Sequence, residues 1–541
     1  MDFKKPKKNL NKGKPIEKEV DDSIDEKGLV STTLEVNTKH LETIFEDTMD
    51  FILRPMAMGA RGELKMAVGY LETMTDNISI SNYFLENLST YNYSVPEKAE
   101  DKFKDLGKIL ESIPAALDIE ESDRWDDVLE GIVEGKAAFF LEGYDKAWIV
   151  EARMWQERAV AEPQVEAVVQ GPREGFVEGL QTNVSLIRRR LRTQDLMTKP
   201  ITVGTTANTN IVICYLKGVA DEKLVEEVEK RIQKVSIEGV ISGNVINEMI
   251  EDTPMTPFKT IATTERPDKV AASLLEGRVG IITENTPLAM IVPSVFWQFF
   301  QASEDYYERF PIATFNRIMR MFSFVLVLSL TAFYVAIATY HQEMIPTQLA
   351  ITMSSIREPV PFPTVVEALL LEGILEALRE AGLRLPSAAG QAVGIVGALV
   401  MGQAAVEAGL VSPQMVIIVA AAGVSSFLIP DFSFVVSLRL LKFLLILLAS
   451  VFGVFGLVMG LIAIMLHLNA LQSFNIPFMT PVTPFKLRDM KDIFVRAPWF
   501  AMGKEGPSAD DSEQSEVKSS NDENNEQYGG EGNEEDDNKE G

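Results

Sequence analysis

The segment Met321–Tyr340 constrains the fold of this chain more than any other feature, because it contains no charged residue. About 20 mostly apolar residues in succession are the length that an α-helix needs to cross a bilayer. Three later segments are also apolar enough to be considered as spans, and they lie at 388–408, 413–430 and 443–468. The sequence therefore predicts an all-α, multi-span membrane domain over 304–475, with the first of about four spans at 321–340.

The stretch between the first two predicted spans, 345–385, is interrupted by prolines and is predicted to form broken or interfacial helices. One of these helices is predicted to begin near Thr364, and Glu367 falls in the middle of its apolar face. A carboxylate in such a position is neutral, paired or beside water, so Glu367 is a candidate buried acid. An ion pair that fixes helix packing is the first interpretation, and a direct role in ion passage is the second. The candidate partners are Arg357, Arg379 and Arg384, and the acids predicted to point away from the apolar face are Glu372, Glu376 and Glu380.

Basic residues near the ends of the spans predict their orientation. Arg309, Arg317 and Arg320 precede the first predicted span, and further basic residues follow the last one. We therefore expect both the N-terminal and the C-terminal regions to be cytoplasmic, with an even number of spans between them. Arg439 and Lys442 fit this topology badly, because they would lie on the opposite side. An interfacial helix at 431–442 would remove the conflict, and five or six spans are the alternatives.

The chain before the membrane domain is predicted to be α+β. Two apolar runs that flank Glu142–Lys146 predict a β-hairpin, whereas the patterns at Leu41–Ile52 and Glu63–Met74 predict helices. Farther along, strands and helices alternate. The predicted segments outside the membrane domain are a disordered charged tail over 1–36, two mixed α/β subdomains over 37–168 and 169–303, and a C-terminal segment over 476–541 that ends in a disordered acidic tail.

Composition argues against several classes of function. A net charge of −27 does not suit nucleic-acid binding, which needs a basic surface. The single cysteine, Cys214, lies in an apolar run and is expected to be a buried thiol. The three histidines are far apart, so neither a metal site nor a cofactor is predicted. No phosphate-binding loop or catalytic motif is present, and the chain is not predicted to be an enzyme.

The segment 388–408 has the form that a pore helix requires. Small residues on one side let neighbouring helices approach closely, and this stripe consists of Gly390, Gly394, Gly397, Met401, Ala405 and Ala408. The opposite stripe carries the pore-lining candidates Val396, Leu399, Val400, Gln403 and Glu407. In a symmetric ring of copies, its apolar members would form a constriction and Glu407 would form an acidic ring that favours cations. The alternative is a buried packing helix with Glu407 at the surface.

A resemblance to a known family is carried by six stretches that occur in one order. They are GPREGFVEGLQTNVSLIRRRLR at 171–192, TERPDKV at 264–270, EGRV at 276–279, DYYERF at 305–310, REPVPFPTVVEALLLEGILEALREAGLRLP at 357–386 and GQAAVEAGLVS at 402–412. The chain thereby resembles the A subunits of GerA-type spore germinant receptors, within the GerA/SpoVAF family of spore germination membrane proteins.

The resemblance implies an integral protein of the spore inner membrane, with its terminal regions in the spore core. It further implies a homo-oligomer, expected to be a pentamer, that conducts monovalent cations and triggers germination. The partners that it implies are a transporter-like B subunit that binds the nutrient, a lipoprotein C subunit and membrane lipid.

Other functions fit the same pattern. An AF-type sporulation paralogue that amplifies ion release shares these motifs, and a receptor scaffold that conducts no ions is a further alternative. A secondary transporter would show an internal repeat with broken helices at matching positions, and the sequence contains no clear repeat of that kind.

Overall fold

The structure is a computed structural model and describes residues 28–58, 64–76, 80, 118–153, 162–163, 166–384, 400–485 and 492–498. These residues form an α/β region with two antiparallel sheets, followed by a helical region. The predicted fold class, α+β followed by all-α, is confirmed. Contacts divide the chain into two compact units, of which the first ends at Gln156 and also includes Arg192–Gln194.

The first unit contains five strands and two helices. They are α1 (Leu34–Ile44), β1 (Phe51–Met58), β2 (Leu64–Leu71), β3 (Ile119–Ser122), α2 (Trp125–Val133), β4 (Ala137–Leu141) and β5 (Ala147–Val150). The strands form an antiparallel sheet of order β1-β2-β4-β5-β3. Helices α1 and α2 pack together on one face of this sheet, where Leu41, Val128 and Ile132 are fully buried.

The predicted hairpin around Glu142–Lys146 is present, whereas the predicted helices at Leu41–Ile52 and Glu63–Met74 are wrong. Most of each range lies in strand β1 or β2 or in the turns beside them. Strand β2 is buried on both sides, because Met66 and Val68 contribute to one apolar cluster and Ala67 to the other. A strand with two buried faces loses its alternation of polar and apolar residues, so its sequence resembles a helix. The predicted disordered tail is also too long, since Val30 is buried.

The second unit begins with five strands and four helices. They are α3 (Leu180–Arg188), β6 (Leu196–Val203), β7 (Thr209–Leu216), α4 (Glu222–Gln233), α5 (Gly243–Ile250), β8 (Ala262–Thr264), α6 (Pro267–Leu275), β9 (Val279–Thr283) and β10 (Ala289–Val292). The strands form another antiparallel sheet, of order β6-β7-β9-β10-β8. Cys214, on β7, is fully buried as expected. Helix α4 begins after Asp221, whose carboxylate accepts a hydrogen bond from the Lys223 backbone N–H and so caps the helix.

The two sheets repeat one topology. In each, the third strand along the chain lies at an edge and is followed by a helix and then by a hairpin. The residue before that helix, Arg124 or Arg266, pairs with an aspartate two positions later. The turn after the helix is Glu-Gly-Lys in one case and Glu-Gly-Arg in the other, and its glycine has a positive φ of 96° at Gly135 and 82° at Gly277. This repeat was not predicted from the sequence.

The helical region contains two helices that are long and apolar enough to cross a membrane, among the residues that the structure describes. These two are α7 (Phe310–Tyr340) and α11 (Phe432–Ala470), whereas α10 (Pro413–Ser426) is a shorter apolar helix. The other elements are α8 (Thr347–Arg357), α9 (Thr364–Arg384), β11 (Gln472–Ser473) and β12 (Ile476–Pro477). Residues 400–407 are also helical.

Helix α11 folds back on itself at Gly453, where φ is 62° and ψ is −145°. Leu445, on the first arm, lies so close to the second arm that a Cβ on Gly460 would be 2.5 Å from its Cδ2. Both ends of α11 contact one loop of the second sheet domain. Lys259 Nζ lies 3.5 Å from Asp431 Oδ2, and Thr256 Oγ1 lies 2.8 Å from His467 Nε2.

The single span predicted at 443–468 therefore differs from the structure, which has two antiparallel arms at 432–452 and 454–470. Each arm is about 25–30 Å long at 1.5 Å per residue. The tip between them meets the C-terminal end of α7, where Tyr340 Oη donates a hydrogen bond to the Ser450 carbonyl over 2.9 Å.

Candidate functional site: buried charges among the apolar helices

The residues predicted to line a pore, and the small residues predicted to pack the pore helices, are only partly within the described chain. Gly390, Gly394, Val396, Gly397 and Leu399 lie outside it. Val400, Gln403, Ala405 and Glu407 lie on the helix at 400–407, where the Val400 side chain is 56% exposed and Glu407 is exposed as well. Gln403 Nε2 donates a hydrogen bond to Glu407 Oε1 over 2.9 Å.

Glu367, the candidate buried acid, is fully buried near the N-terminus of α9. Arg357 Nη2 lies 3.2 Å from its Oε1, and the Ser412 backbone N–H donates to its Oε2 over 2.8 Å. Each carboxylate oxygen therefore has a donor. The pair joins α8, α9 and the start of α10, and Arg357 is one of the three candidate partners that the sequence suggested.

Glu372 was predicted to point away from the packed face of α9, and this prediction is wrong. Its side chain is fully buried and is paired with Lys442 of α11, whose side chain is only 3% exposed. Thr331 of α7 donates a hydrogen bond to the other Glu372 oxygen over 2.9 Å. One carboxylate thus links three helices.

Glu376 joins α9 to α11 one turn farther along. Arg439 Nη1 lies 2.7 Å from its Oε2, and Arg379 Nη1 lies 3.3 Å from its Oε1. The positions of Arg439 and Lys442, which conflict with a simple topology, are thereby explained by ion pairs within the helical bundle. The interfacial helix predicted at 431–442 is instead the first part of α11.

Helix α9 consequently has acidic side chains on its buried face and apolar side chains on its exposed face, the reverse of a surface helix in a water-soluble protein. Its inward face carries Glu367 and Glu372, whereas Val366 and Leu370 are 38% and 36% exposed. Ionisable side chains inside a membrane domain are expensive, face the interior of the bundle and are paired with each other. The arrangement is therefore the one expected of a helix that is surrounded by lipid.

A second set of buried charges fixes the beginning of α7. The Asp305 carboxylate accepts hydrogen bonds from Arg317 Nε over 2.9 Å and from Arg320 Nη1 over 2.7 Å. Arg317 Nη1 also pairs with Asp492 over 2.8 Å. Two of the three arginines from which the orientation was predicted are therefore buried in ion pairs.

Lys259, beside the base of α11, is a largely buried cation whose side chain is 11% exposed. Burial lowers the pKa of the Lys259 ammonium, although the carboxylate of Asp431 acts in the opposite direction. No group of three or more His, Cys, Asp or Glu side chains could hold a metal ion within the described ranges. The buried charges of the helical region are instead paired with one another and link its helices.

Comparisons with known proteins agree on one family. A family model described as Bacillus/Clostridium GerA spore germination protein matches residues 39–507. The chain is 41% identical over 473 residues to spore germination protein KA of Bacillus subtilis (strain 168), which covers 87% of this chain and 86% of the relative. It is 42% identical over 485 residues to the uncharacterized membrane protein YfkQ of the same strain, with 90% and 92% covered.

Among solved structures, the N-terminal domain of the A subunit of the Bacillus megaterium spore germinant receptor GerK3 matches part of the chain. The TM-score is 0.39 at 27% sequence identity, and the match covers 50% of this chain and 97% of that domain.

Proposed function

Because the chain belongs to the Bacillus/Clostridium GerA family of spore germination proteins, we propose that it is the channel-forming A subunit of a nutrient germinant receptor. Copies of the chain assemble around an axis in the spore inner membrane and conduct monovalent cations. The B and C subunits of the receptor are its partners, and the sheet domains lie in the spore core. The germinant is recognised mainly by the B subunit.

The observation that carries this proposal is the row of paired charges along α9. Three glutamates of this helix each pair with a basic side chain of another helix: Glu367 with Arg357, Glu372 with Lys442 and Glu376 with Arg439. The first two glutamates are completely buried. Charges inside a membrane domain mark ion pathways and the elements that open them. A scaffold that only clusters receptors needs no such row, because apolar packing of small residues would join the helices at lower cost.

The exposed face of the helix at 400–407 supports the same function. Val400 and Glu407 are exposed in the single chain, next to a small residue, Ala405. In a ring of copies, an exposed carboxylate at this position forms the acidic collar that selects cations.

The test is ion flux through vesicles that contain the full-length chain, with the B and C subunits added in a parallel sample. We expect K⁺ or Na⁺ release from wild-type vesicles and a several-fold lower rate for Glu407→Gln, because the local concentration of cations falls. Glu380→Gln is the matched control, since Glu380 is an exposed helical carboxylate, 61% exposed, outside the proposed pore.

A wild-type chain that forms oligomers, inserts into vesicles and passes no cation, with or without its partner subunits, would identify it as a scaffold. Equal flux through Glu407→Gln and wild type would remove Glu407 from the pathway and leave conduction to other residues.

A further inference from the structure

A cleft lies where the second sheet domain meets the base of the helical bundle. Residues of α6, the end of α9, the α10–α11 loop and the beginning of α11 form its walls. Its charged lining is mostly basic, with two carboxylates, Glu166 and Glu304, against Arg266, Lys269, Arg320, Arg379 and Arg439.

Three of the basic residues are paired with acids that do not contact Arg379 or Arg439. Arg266 pairs with Asp268 over 2.8 Å, Lys269 with Glu166 over 3.1 Å, and Arg320 with Asp305 over 2.7 Å, where Asp305 also holds Arg317. These pairs build a rigid wall and leave little charge for a ligand.

The remaining two arginines are not balanced. Arg379 and Arg439 share one carboxylate, that of Glu376, so this trio carries one positive charge in excess, whereas the other lining carboxylate, Glu304, accepts a hydrogen bond from the Val169 backbone N–H. The Nε of Arg439 is buried and has no hydrogen-bond partner among the residues that the structure describes. A buried cationic donor without an acceptor is costly, so this corner of the cleft favours an anion.

Aromatic rings hold the two guanidinium groups in place and form the rim of the cleft. Phe427 lies under Arg379, 5.6 Å from ring centroid to Cζ, and Phe432 lies under Arg439 at 5.7 Å. The rim is apolar and exposed: Phe427 is 77% exposed, Leu428 46% and Phe432 47%. It lies at the base of α11, the first arm of which has the length of a bilayer core.

We propose that this cleft binds the phosphate group of an anionic phospholipid, with the headgroup between Arg379 and Arg439 and the acyl chains along Phe427 and Phe432. Guanidinium groups bind phosphate oxygens through paired N–H donors, which suits two arginines on adjacent helices. Basic pockets between membrane helices on the cytoplasmic side are suited to such headgroups. The site is additional to the proposed pore and does not depend on conduction.

The test is native mass spectrometry of the full-length protein in mild detergent, after incubation with equimolar phosphatidylglycerol and phosphatidylcholine. We expect the wild type to retain phosphatidylglycerol preferentially. The double variant Arg379→Gln/Arg439→Gln should lose this retention by about tenfold, since charge-assisted hydrogen bonds to the phosphate are removed. Arg384→Gln is the control, because Arg384 lies on the same helix, is 79% exposed and is paired with Glu380 outside the cleft.

A variant with the opposite effect keeps the test decisive if the double variant unfolds. Glu376→Gln removes the shared counter-ion of both arginines, so retention of phosphatidylglycerol should rise. A Glu376→Gln protein that retains less phosphatidylglycerol or an unchanged amount would overturn the proposal, as would a folded double variant that binds like the wild type. Displacement of the lipid by excess inorganic phosphate would show a site for small anions instead.

Discussion

At the scale of single residues, the pair of Glu372 and Lys442 distinguishes this bundle from an ordinary apolar core. Both side chains are buried and each is the other's counter-charge. Removing one member of a buried ion pair leaves an uncompensated charge and costs about 3–5 kcal/mol. We therefore expect Lys442→Met to lower the thermal unfolding temperature of the full-length protein in detergent markedly.

The matched experiments separate charge from packing. Replacing both members, as Glu372→Gln with Lys442→Met, should restore most of the lost stability, because no isolated charge remains. Arg384→Gln, which breaks the exposed pair with Glu380, should change the free energy of unfolding by less than about 1 kcal/mol. A Lys442→Met protein as stable as the wild type would show that the Glu372–Lys442 pair contributes nothing to stability.

The sequence identifies some of these residues and not others. Glu367 stands out because it interrupts an apolar face, and its partner Arg357 is among the candidates that the sequence suggests. Glu372 could not be assigned, because helical periodicity defines which residues share a face and does not say which face is buried. In a helix within lipid the polar face turns inward, so the rule for soluble proteins gave the wrong side.

At the scale of elements, Gly453 is responsible for the reversal of α11. Its φ of 62° with a ψ of −145° is open essentially only to glycine. A Cβ would also lie 2.9 Å from His341 Nε2. We expect Gly453→Ala to destabilise the full-length protein by about 1–3 kcal/mol, measured as a lower unfolding temperature in detergent.

Gly373 provides the control for this prediction. It lies within α9, and a Cβ there would meet nothing within 4 Å. Gly373→Ala should therefore raise stability by about 0.5–1 kcal/mol through helix propensity. If Gly453→Ala were equally stabilising, α11 would be a continuous helix in the protein.

Elements were predicted well where their signals are local. The hairpin around Glu142–Lys146, formed by β4 and β5, follows from two apolar runs on either side of a turn. The hairpin of α11 has no such signal, because the apolar sequence continues on both sides of Gly453 without a polar turn. Its reversal takes place at the far end of the bundle, where apolar residues suffice.

At the scale of the whole molecule, the contacts of α11 predict a topology. The loop at 256–259 contacts both ends of α11, whereas its tip contacts the end of α7. We expect Val451→Cys, at the tip, and Asn469→Cys, at the base, to react with a membrane-impermeant maleimide from opposite sides of sealed vesicles. Cys214 is fully buried, so we expect it to react only when its sheet opens and to report on unfolding.

Labelling of both cysteines from one side would contradict a hairpin that crosses the bilayer, even if the fold of the bundle were otherwise right. The predicted count of four spans treats 443–468 as a single span, whereas a hairpin that crosses the bilayer contributes two.

The repeated sheet topology also belongs to this scale. It could not be predicted from the sequence, because too few residues are common to the two sheets. The shared residues are few, namely an arginine and aspartate at the helix start and a Glu-Gly-Lys or Glu-Gly-Arg turn. A backbone with positive φ constrains only the glycine, and core positions accept many apolar residues.

The attachment of both ends of α11 to one loop has a mechanical consequence. Asp431 and His467, near the two ends of the hairpin, both contact the loop at 256–259. A tilt of the second sheet domain would therefore move both ends of α11 together, as one rigid body. With an arm of about 30 Å, a tilt of about 5° would sweep the far tip through roughly 2–3 Å. A small rotation of the second sheet domain would thus reach Tyr340, which contacts the tip, as a displacement about the size of an ion's radius or larger.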